Sequence, residues 1–200
     1  MYMKSIMIHC TCPLTRLGLE YAISSHPGLL QQTNLVYYPT SGFFHLNYPV
    51  PDFVLLVLHR NIAEAFVSLE QILLTPLRDS NVLLVLPRGI PYWIKRYILG
   101  RVNVVAELNM TVSIGILQSL LFELFVKPPT RKKNDDVISL SQREQEVIRR
   151  LLLGDNSMKI AVDLGISNKT VSSHKHKAFL KLGIRSLHGL QACSSAYITL

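Results

Sequence analysis

The stretch Leu140–Ile184, "LSQREQEVIRRLLLGDNSMKIAVDLGISNKTVSSHKHKAFLKLGI", decides the fold of the C-terminal third of this 200-residue chain. Ser141 stands three residues before Glu144, which is the spacing of a capping box at a helix start. Apolar residues then follow at helical spacing as far as Gly154, a residue typical of helix ends. The pattern therefore predicts a helix that starts after Ser141 and ends at Gly154.

Two further helices and a tight turn are predicted in the same stretch. The second helix spans Ser157–Leu164 and the third runs from Asn168 to about Lys181. The three residues between them suit a turn, and Ser167 can cap the third helix. Together they are typical of a helix-turn-helix at about Met158 to Lys177, and a fourth helix begins near Ser186.

The third helix carries side chains that suit DNA. The side chains expected to face the core are Val171, Ala178 and Leu182, together with the apolar part of either His174 or Lys175. No Asp or Glu occurs at residues 168–181, lysines neutralise phosphates, and hydroxyl and imidazole groups reach base edges in a major groove. The alternative is a plain helical bundle with a basic face. The other face of the helix carries Lys169, Ser172, Ser173, His176 and Lys177.

The positive charge of the chain is concentrated in this region. The chain has 21 Lys and Arg against 13 Asp and Glu, a formal net charge of +8. Residues 1–126 hold 8 basic and 7 acidic residues, whereas residues 127–200 hold 13 and 6. Such a local positive field suits a polyanionic partner, although a solvated basic surface would give the same count.

The Leu140–Ile184 stretch resembles the LuxR/FixJ-type DNA-binding domain of bacterial transcription regulators, over about Leu140–Ile198. Within that family "TVSSHKHKAFLKLG" is most similar to the enterobacterial Rcs group. The resemblance implies an all-α four-helix domain that dimerises and places its third helix in the major groove of double-stranded DNA. Leu187 departs from an arginine often seen at that position. The implied contact positions are Lys169, Ser172, Ser173 and His176, with Thr170 and Lys175 as phosphate neighbours.

The first 126 residues alternate short apolar runs with helical patterns. Continuous apolar runs such as "FVLLVL" predict strands of a parallel sheet, and five strands alternating with helices predict a flavodoxin-like α/β domain. A linker is predicted at 127–137 and the helix-turn-helix domain at 138–200. The predicted strands are Ser5–His9, Leu35–Tyr38, Phe53–Leu58, Val82–Leu86 and Val102–Ala106, and the helices are Leu14–Ser24, Ile62–Leu74, Tyr92–Leu99 and Val112–Phe125.

The family resemblance implies a receiver or receiver-like domain at residues 1–126. A receiver needs an acid pair for magnesium after its first strand, a phospho-accepting aspartate after the third, a hydroxyl after the fourth and a lysine after the fifth. None of these residue types stands in place here, so we expect a degenerate pocket that phosphorylation does not switch. The acid pair falls on Cys10 and Thr11, and the phospho-accepting aspartate on His59. The hydroxyl position falls on Pro87 and the lysine position on Glu107.

The sequence "HCTC" at His9–Cys12 admits a second interpretation. Cys10, with His9 or Cys12, could approach His59 and bind zinc or act in redox chemistry. Cys-x-Cys lacks the usual zinc-finger spacing, and small buried thiols are the commoner case. We therefore expect no metal and no cofactor.

The function predicted from these features is that of a cytoplasmic DNA-binding transcription regulator that is not an enzyme, since no nucleophile–base set is present. It would act as a homodimer, or as a heterodimer with a related regulator, for which the apolar helix Val112 to Phe125 is a candidate face. The same helix could instead be a wide core stripe, whose predicted residues are Ile116, Leu117, Leu120, Leu121, Leu124 and Phe125. The longest uncharged run, Leu108 to Phe122, is shorter than the ~20 residues that span a bilayer.

Two alternatives to this function remain at the level of sequence. One is an auxiliary co-regulator that modifies a partner regulator and binds DNA weakly alone. The other is a ligand-sensing regulator of the quorum type, which ranks lower because the chain has a single Trp.

Overall fold

The computed structural model of the chain describes residues 3–37, 49–73, 76–127 and 138–191. Apart from Lys127, the predicted linker lies outside these residues, as do residues 192–200 of the predicted C-terminal domain. The described residues fall into two compact units. The first comprises 3–37, 49–59, 70–73, 76–88 and 102–127, and the second comprises 60–69, 89–101 and 138–191.

The predicted five-stranded parallel sheet is confirmed, with strand order β2-β1-β3-β4-β5. Every neighbouring pair is parallel. All five residues of β3 are apolar and buried, which is the pattern expected of a strand that is covered on both faces. The strands are β1 (Lys4–His9), β2 (Thr33–Val36), β3 (Phe53–Val57), β4 (Asn81–Leu86) and β5 (Asn103–Asn109).

The helices of the first 126 residues begin and end within two residues of their predicted bounds. A single-turn helix over Pro27–Leu30 and a 3-10 turn over Pro76–Asp79 were not predicted, because elements of four residues show no periodicity. His26 caps the former, since its Nδ1 accepts the Leu29 N–H at 3.2 Å. The helices are α1 (Pro13–Ser24), α2 (Pro27–Leu30), α3 (Ile62–Leu73), α4 (Tyr92–Leu99) and α5 (Ile114–Val126).

Helix α5 contributes a major part of the core of the first unit. The Phe125 ring lies edge-on to Phe53 at 5.0 Å, and Gln118 donates a hydrogen bond of 2.8 Å to the Ala22 carbonyl of α1. The prediction that Ile116 belongs to the core stripe is wrong, because its side chain is 57% exposed. Residues 117, 121 and 125 share one face of the helix, and Ile116 is turned ~100° away from Leu117. The core consists of Ile6, Ala22, Ile23, Leu29, Phe53, Leu55, Leu83, Leu117, Leu121 and Phe125.

A chain of polar contacts joins the starts of four strands. Asp52 Oδ2 accepts hydrogen bonds of 2.8 Å from both the N–H and the hydroxyl of Ser5. The Asp52 carbonyl accepts from the Asn81 side chain at 3.2 Å, and Asn81 Oδ1 accepts from Asn103 at 2.8 Å. These contacts fix the register of β1, β3, β4 and β5 at the amino-terminal edge of the sheet.

The C-terminal helices have the predicted number and order among the described residues. In α6, α7 and α8 the buried apolar residues lie on one side of the helix, as the helical spacing predicted. Within the described ranges, no helix is long and apolar enough to cross a bilayer. The helices are α6 (Gln142–Leu152), α7 (Ser157–Leu164), α8 (Asn168–Leu182) and α9 (Leu187–Gln191).

Candidate nucleic-acid interface

The capping box at the start of α6 forms as predicted. The Ser141 hydroxyl accepts the Glu144 N–H at 3.3 Å, and Glu144 Oε2 accepts the Ser141 N–H at 2.8 Å. The buried Glu144 carboxylate also accepts a 2.6 Å hydrogen bond from Lys181 Nζ on α8. Burial opposes ionisation of Glu144, but the contacts from Lys181 and Ser141 outweigh it and hold its pKa below the ordinary value. The start of α6 is thereby tied to the end of α8.

The turn between α7 and α8 is fixed at both ends. Gly165 adopts a left-handed conformation with φ of +63°, which a residue without Cβ adopts freely. The Ile166 N–H donates to the Ala161 carbonyl at 3.0 Å, closing the last turn of α7. The Ser167 hydroxyl accepts the Thr170 N–H at 3.0 Å and caps α8. These bonds set the direction in which α8 leaves the turn.

Helix α8 has one buried and one exposed face. Val171, Ala178, Phe179 and Leu182 are buried; Phe179 was not among the predicted core positions. Five exposed residues lie on one side of the helix, because four of them follow Lys169 by three, four, seven and eight positions. The helix is about 22 Å long and of a width that a major groove admits. The five exposed residues predicted to contact DNA are Lys169, Ser172, Ser173, His176 and Lys177.

Thr170 and Lys175, also predicted to contact DNA, lie at the border of this face. Both are partly buried. The Thr170 hydroxyl lies 2.8 Å from the Ser167 hydroxyl, so it takes part in the cap of α8. The structure therefore brings all seven predicted residues to one helix, with five on its exposed face and two beside it.

The acidic residues of 138–191 are all engaged with basic side chains away from the exposed face of α8. Glu144 pairs with Lys181, and Asp163 pairs with Arg150. By contrast, Lys169 and Lys177 make no ion pair within the described part of the chain. Their charge is therefore available to an anionic partner. The remaining pairs are Glu146 with Arg149 and Arg150, at 2.6 and 2.8 Å, and Asp155 with Lys159 and Arg150, at 2.6 and 3.7 Å.

The predicted phosphorylation pocket maps to the carboxyl-terminal edge of the sheet, with one exception. Cys10 and Thr11 follow β1, His59 follows β3 and Pro87 follows β4. Glu107 instead lies inside β5, where it pairs with Leu84. The strand continues beyond the predicted end at Ala106, so Asn109, paired with Leu86, is the residue that ends it. An irregularity of register between Val82 and Leu83, which no periodicity reveals, shifts the alignment of β5.

The "HCTC" segment lies at the carboxyl-terminal end of β1, and both of its cysteines are free. Cys10 Sγ lies 3.4 Å from the Cys12 carbonyl oxygen, and burial lowers the pKa of the adjacent His9. In the described residues, no group of three or more His, Cys, Asp or Glu side chains could hold a metal ion.

Comparison with known families identifies the C-terminal segment. The model of the bacterial regulatory proteins of the luxR family matches residues 138–192. The described part of this segment, residues 138–191, is a luxR-type helix-turn-helix domain. The transcriptional regulatory protein TdiR of Thauera aromatica is 40% identical over 65 residues, which are 32% of this chain and 29% of TdiR. The fimbriae Z protein of Salmonella typhimurium is 43% identical over 58 residues, 29% of this chain and 28% of that protein.

The chain matches less than a third of each relative's length. The likeness extends further at the level of fold. The RcsB response regulator of Salmonella typhimurium superposes with a TM-score of 0.54 at 20% identity, over 100% of both chains. The described part of residues 3–127 therefore has a receiver-like fold, joined in sequence to a luxR-type domain.

Proposed function

We propose that this chain is a bacterial transcription regulator whose luxR-type domain inserts α8 into the major groove of DNA. The observation that carries the proposal is the charge pattern of the domain. Lys169 and Lys177, at opposite ends of the exposed face, lack acidic partners among the described residues, whereas Glu144 and the other acids are paired elsewhere. The relative from Thauera aromatica is a transcriptional regulatory protein, which supports the same role. We assign no catalytic reaction to the chain.

The groups between the two lysines support direct reading of bases. Ser172, Ser173 and His176 are exposed on the same face, and each can donate and accept hydrogen bonds. Lysines fix the helix on the phosphate backbone, while short polar side chains meet base edges in the groove. The capped start of α8 and its tie to Glu144 hold this face in a defined direction.

The test is duplex binding by the full chain, measured by fluorescence anisotropy over a salt series. Lys169→Ala and Lys177→Ala should each reduce the log–log salt slope by about 0.9, because each removes one phosphate contact. Lys159→Ala is the matched control, since Lys159 lies on α7 and its ammonium is paired with Asp155 at 2.6 Å. An unchanged slope in both α8 variants would refute the placement of α8 in the groove.

Base reading is tested separately with a duplex selected from a random pool. His176→Ala should lose about tenfold of the preference for the selected duplex over a scrambled one, with little change in salt slope. A uniform loss on both duplexes would instead assign His176 to the phosphate backbone.

We further propose that control passes through dimerisation or partner binding rather than aspartyl phosphorylation. Cys10, Thr11 and His59 stand where a receiver carries its acids, and thiol, hydroxyl and imidazole groups do not supply the oxygen-rich ligands of magnesium. A dimer with two-fold symmetry would read two half-sites about one helical turn apart.

A second candidate is a co-regulator that acts mainly by joining another regulator. Exposed Ile114 and Ile116 on α5 favour it, as does Leu187 at the start of α9, where the related domains often carry arginine. The discriminating measurement is duplex binding by the chain alone and with a second luxR-type regulator. Tight binding only in the mixture would favour this candidate.

A further inference from the structure

Helix α4 lies outside the luxR-type domain in sequence but belongs with it in the second compact unit, together with α6 to α9. Tyr97 of α4 is fully buried, and its hydroxyl accepts a hydrogen bond of 3.2 Å from Gln145 Nε2 of α6. The Phe66 ring of α3 stacks on the Tyr97 ring at 5.5 Å. These contacts hold α4 against the start of α6.

Arg96, the residue before Tyr97, lies at the C-terminal end of α8. A Cβ added to Gly183, the C-cap residue of α8, would lie 3.6 Å from Arg96 Nη1. Leu180, which is exposed, follows Lys169 by 11 positions and Gly183 follows it by 14, so both continue the series of three, four, seven and eight. The guanidinium of Arg96 therefore extends the exposed face of α8 beyond the last residue of the helix.

The positive charge of Arg96 is available to an anionic partner. Its side chain is partly exposed and makes no ion pair within the described part of the chain. The two segments that meet at this contact, residues 80–106 and 164–200, contain no Asp or Glu. A positive charge without acidic neighbours along either segment favours a polyanion. The basic residues of the first segment are Arg88, Lys95, Arg96 and Arg101.

We propose that Arg96 binds a DNA phosphate beside the groove that receives α8, so that a helix of the receiver-like fold takes part in DNA binding. The proposal rests on the proposed function, because α8 must lie in the major groove. The helix is about 22 Å long and the groove about 12 Å wide, so the C-terminal end of α8 reaches the flanking phosphates. A guanidinium suits this contact, since it is always charged and donates two parallel hydrogen bonds to phosphate oxygens.

The experiment measures duplex binding by the full chain and its Arg96→Ala variant, by fluorescence anisotropy from 50 to 200 mM salt. Loss of one phosphate contact should reduce the log–log salt slope by about 0.9, so the parent should lose about 3.5-fold more affinity over this range than the variant. Arg96→Lys should keep most of the slope, because it keeps the charge. Arg149→Ala is the matched control, since it removes a guanidinium that is paired with Glu146 at 2.6 Å, and its slope should equal that of the parent.

A purely structural role for Arg96 gives a different result, because a cation at the C-terminal end of a helix also stabilises that helix. Arg96→Ala would then lower the resistance of the chain to urea and leave the salt slope at the parent value, which would overturn the proposal. Lys169→Ala on the same duplex separates this failure from that of the proposed function. A slope reduced by Lys169→Ala but not by Arg96→Ala would refute the Arg96 contact alone, whereas a parent chain without salt-dependent binding would refute both.

Discussion

Gly28 is a residue at which packing leaves no room for a side chain. A Cβ at this position would lie 2.8 Å from Phe122 Cε2 of α5 and 3.3 Å from the His26 ring. Gly18, in the middle of α1, has no atom within 4 Å of the corresponding point. The two glycines therefore offer a matched pair in neighbouring helices, one crowded and one open.

We predict that Gly28→Ala destabilises the protein by about 1–3 kcal/mol, because overpacking displaces Phe122 from the core. Gly18→Ala should stabilise it by about 0.5–1 kcal/mol, since alanine lowers the entropy cost of an open helical position. Urea unfolding of the full chain measures both. Equal effects of the two substitutions would contradict the close approach of α2 to α5.

Glu144 is the second residue whose contacts make a prediction, this time about pH. Its carboxylate joins the capping box to Lys181, and its pKa in the folded protein is lowered. A lowered folded pKa contributes stability that is present above the unfolded pKa and is lost as pH falls through the folded pKa. Glu144→Gln keeps the shape of the side chain but removes this charge.

Glu144→Gln should therefore be less stable than the parent at neutral pH, by about 1–3 kcal/mol. The difference should shrink as the solution is acidified through the acid range of carboxyl groups. Urea unfolding at a series of pH values measures both effects. A difference that stays constant down to low pH would show that the Glu144 charge contributes nothing to folding.

At the scale of elements, the turn between α7 and α8 determines how the exposed face of α8 is presented. Gly165 holds a φ of +63°, and no atom lies within 4 Å of an added Cβ, so a substitution meets backbone strain without a clash. Gly165→Ala should cost about 1 kcal/mol, and Gly165→Asn less, because asparagine tolerates the left-handed region better. Thermal unfolding of the two variants tests the ranking. The reverse order would indicate that the turn is not left-handed in solution.

At the scale of the whole molecule, the proposal that phosphorylation does not control the chain makes a prediction about labelling. Incubation of the full chain with acetyl phosphate and magnesium should leave it without an acyl phosphate, because we expect His59 at the position of the accepting aspartate. Mass spectrometry under mild conditions measures the label, and a phosphorylatable receiver protein serves as the positive control. Stable labelling at the carboxyl-terminal edge of the sheet would contradict a degenerate pocket.

The sequence determined those features that depend on neighbours along the chain. Helical spacing, the Ser141 capping box and the Gly165 turn are local, and each formed where the residues predicted it. The apolar run of β3 was similarly sufficient to predict a buried strand. The face of α8 that carries Lys169 and Lys177 followed from the period of the helix alone.

Only the tertiary structure decided features that depend on residues distant in sequence. The rotation of α5 that exposes Ile116 follows from its packing against α1 and β3, and the position of Glu107 inside β5 follows from pairing with β4. The pairing of Glu144 with Lys181, 37 residues away, likewise could not be predicted from the spacing of apolar residues. Periodicity reports which side of one element is apolar. Register, helix rotation and charge pairing are set by the free energy of contacts between elements, which the order of residues alone does not display.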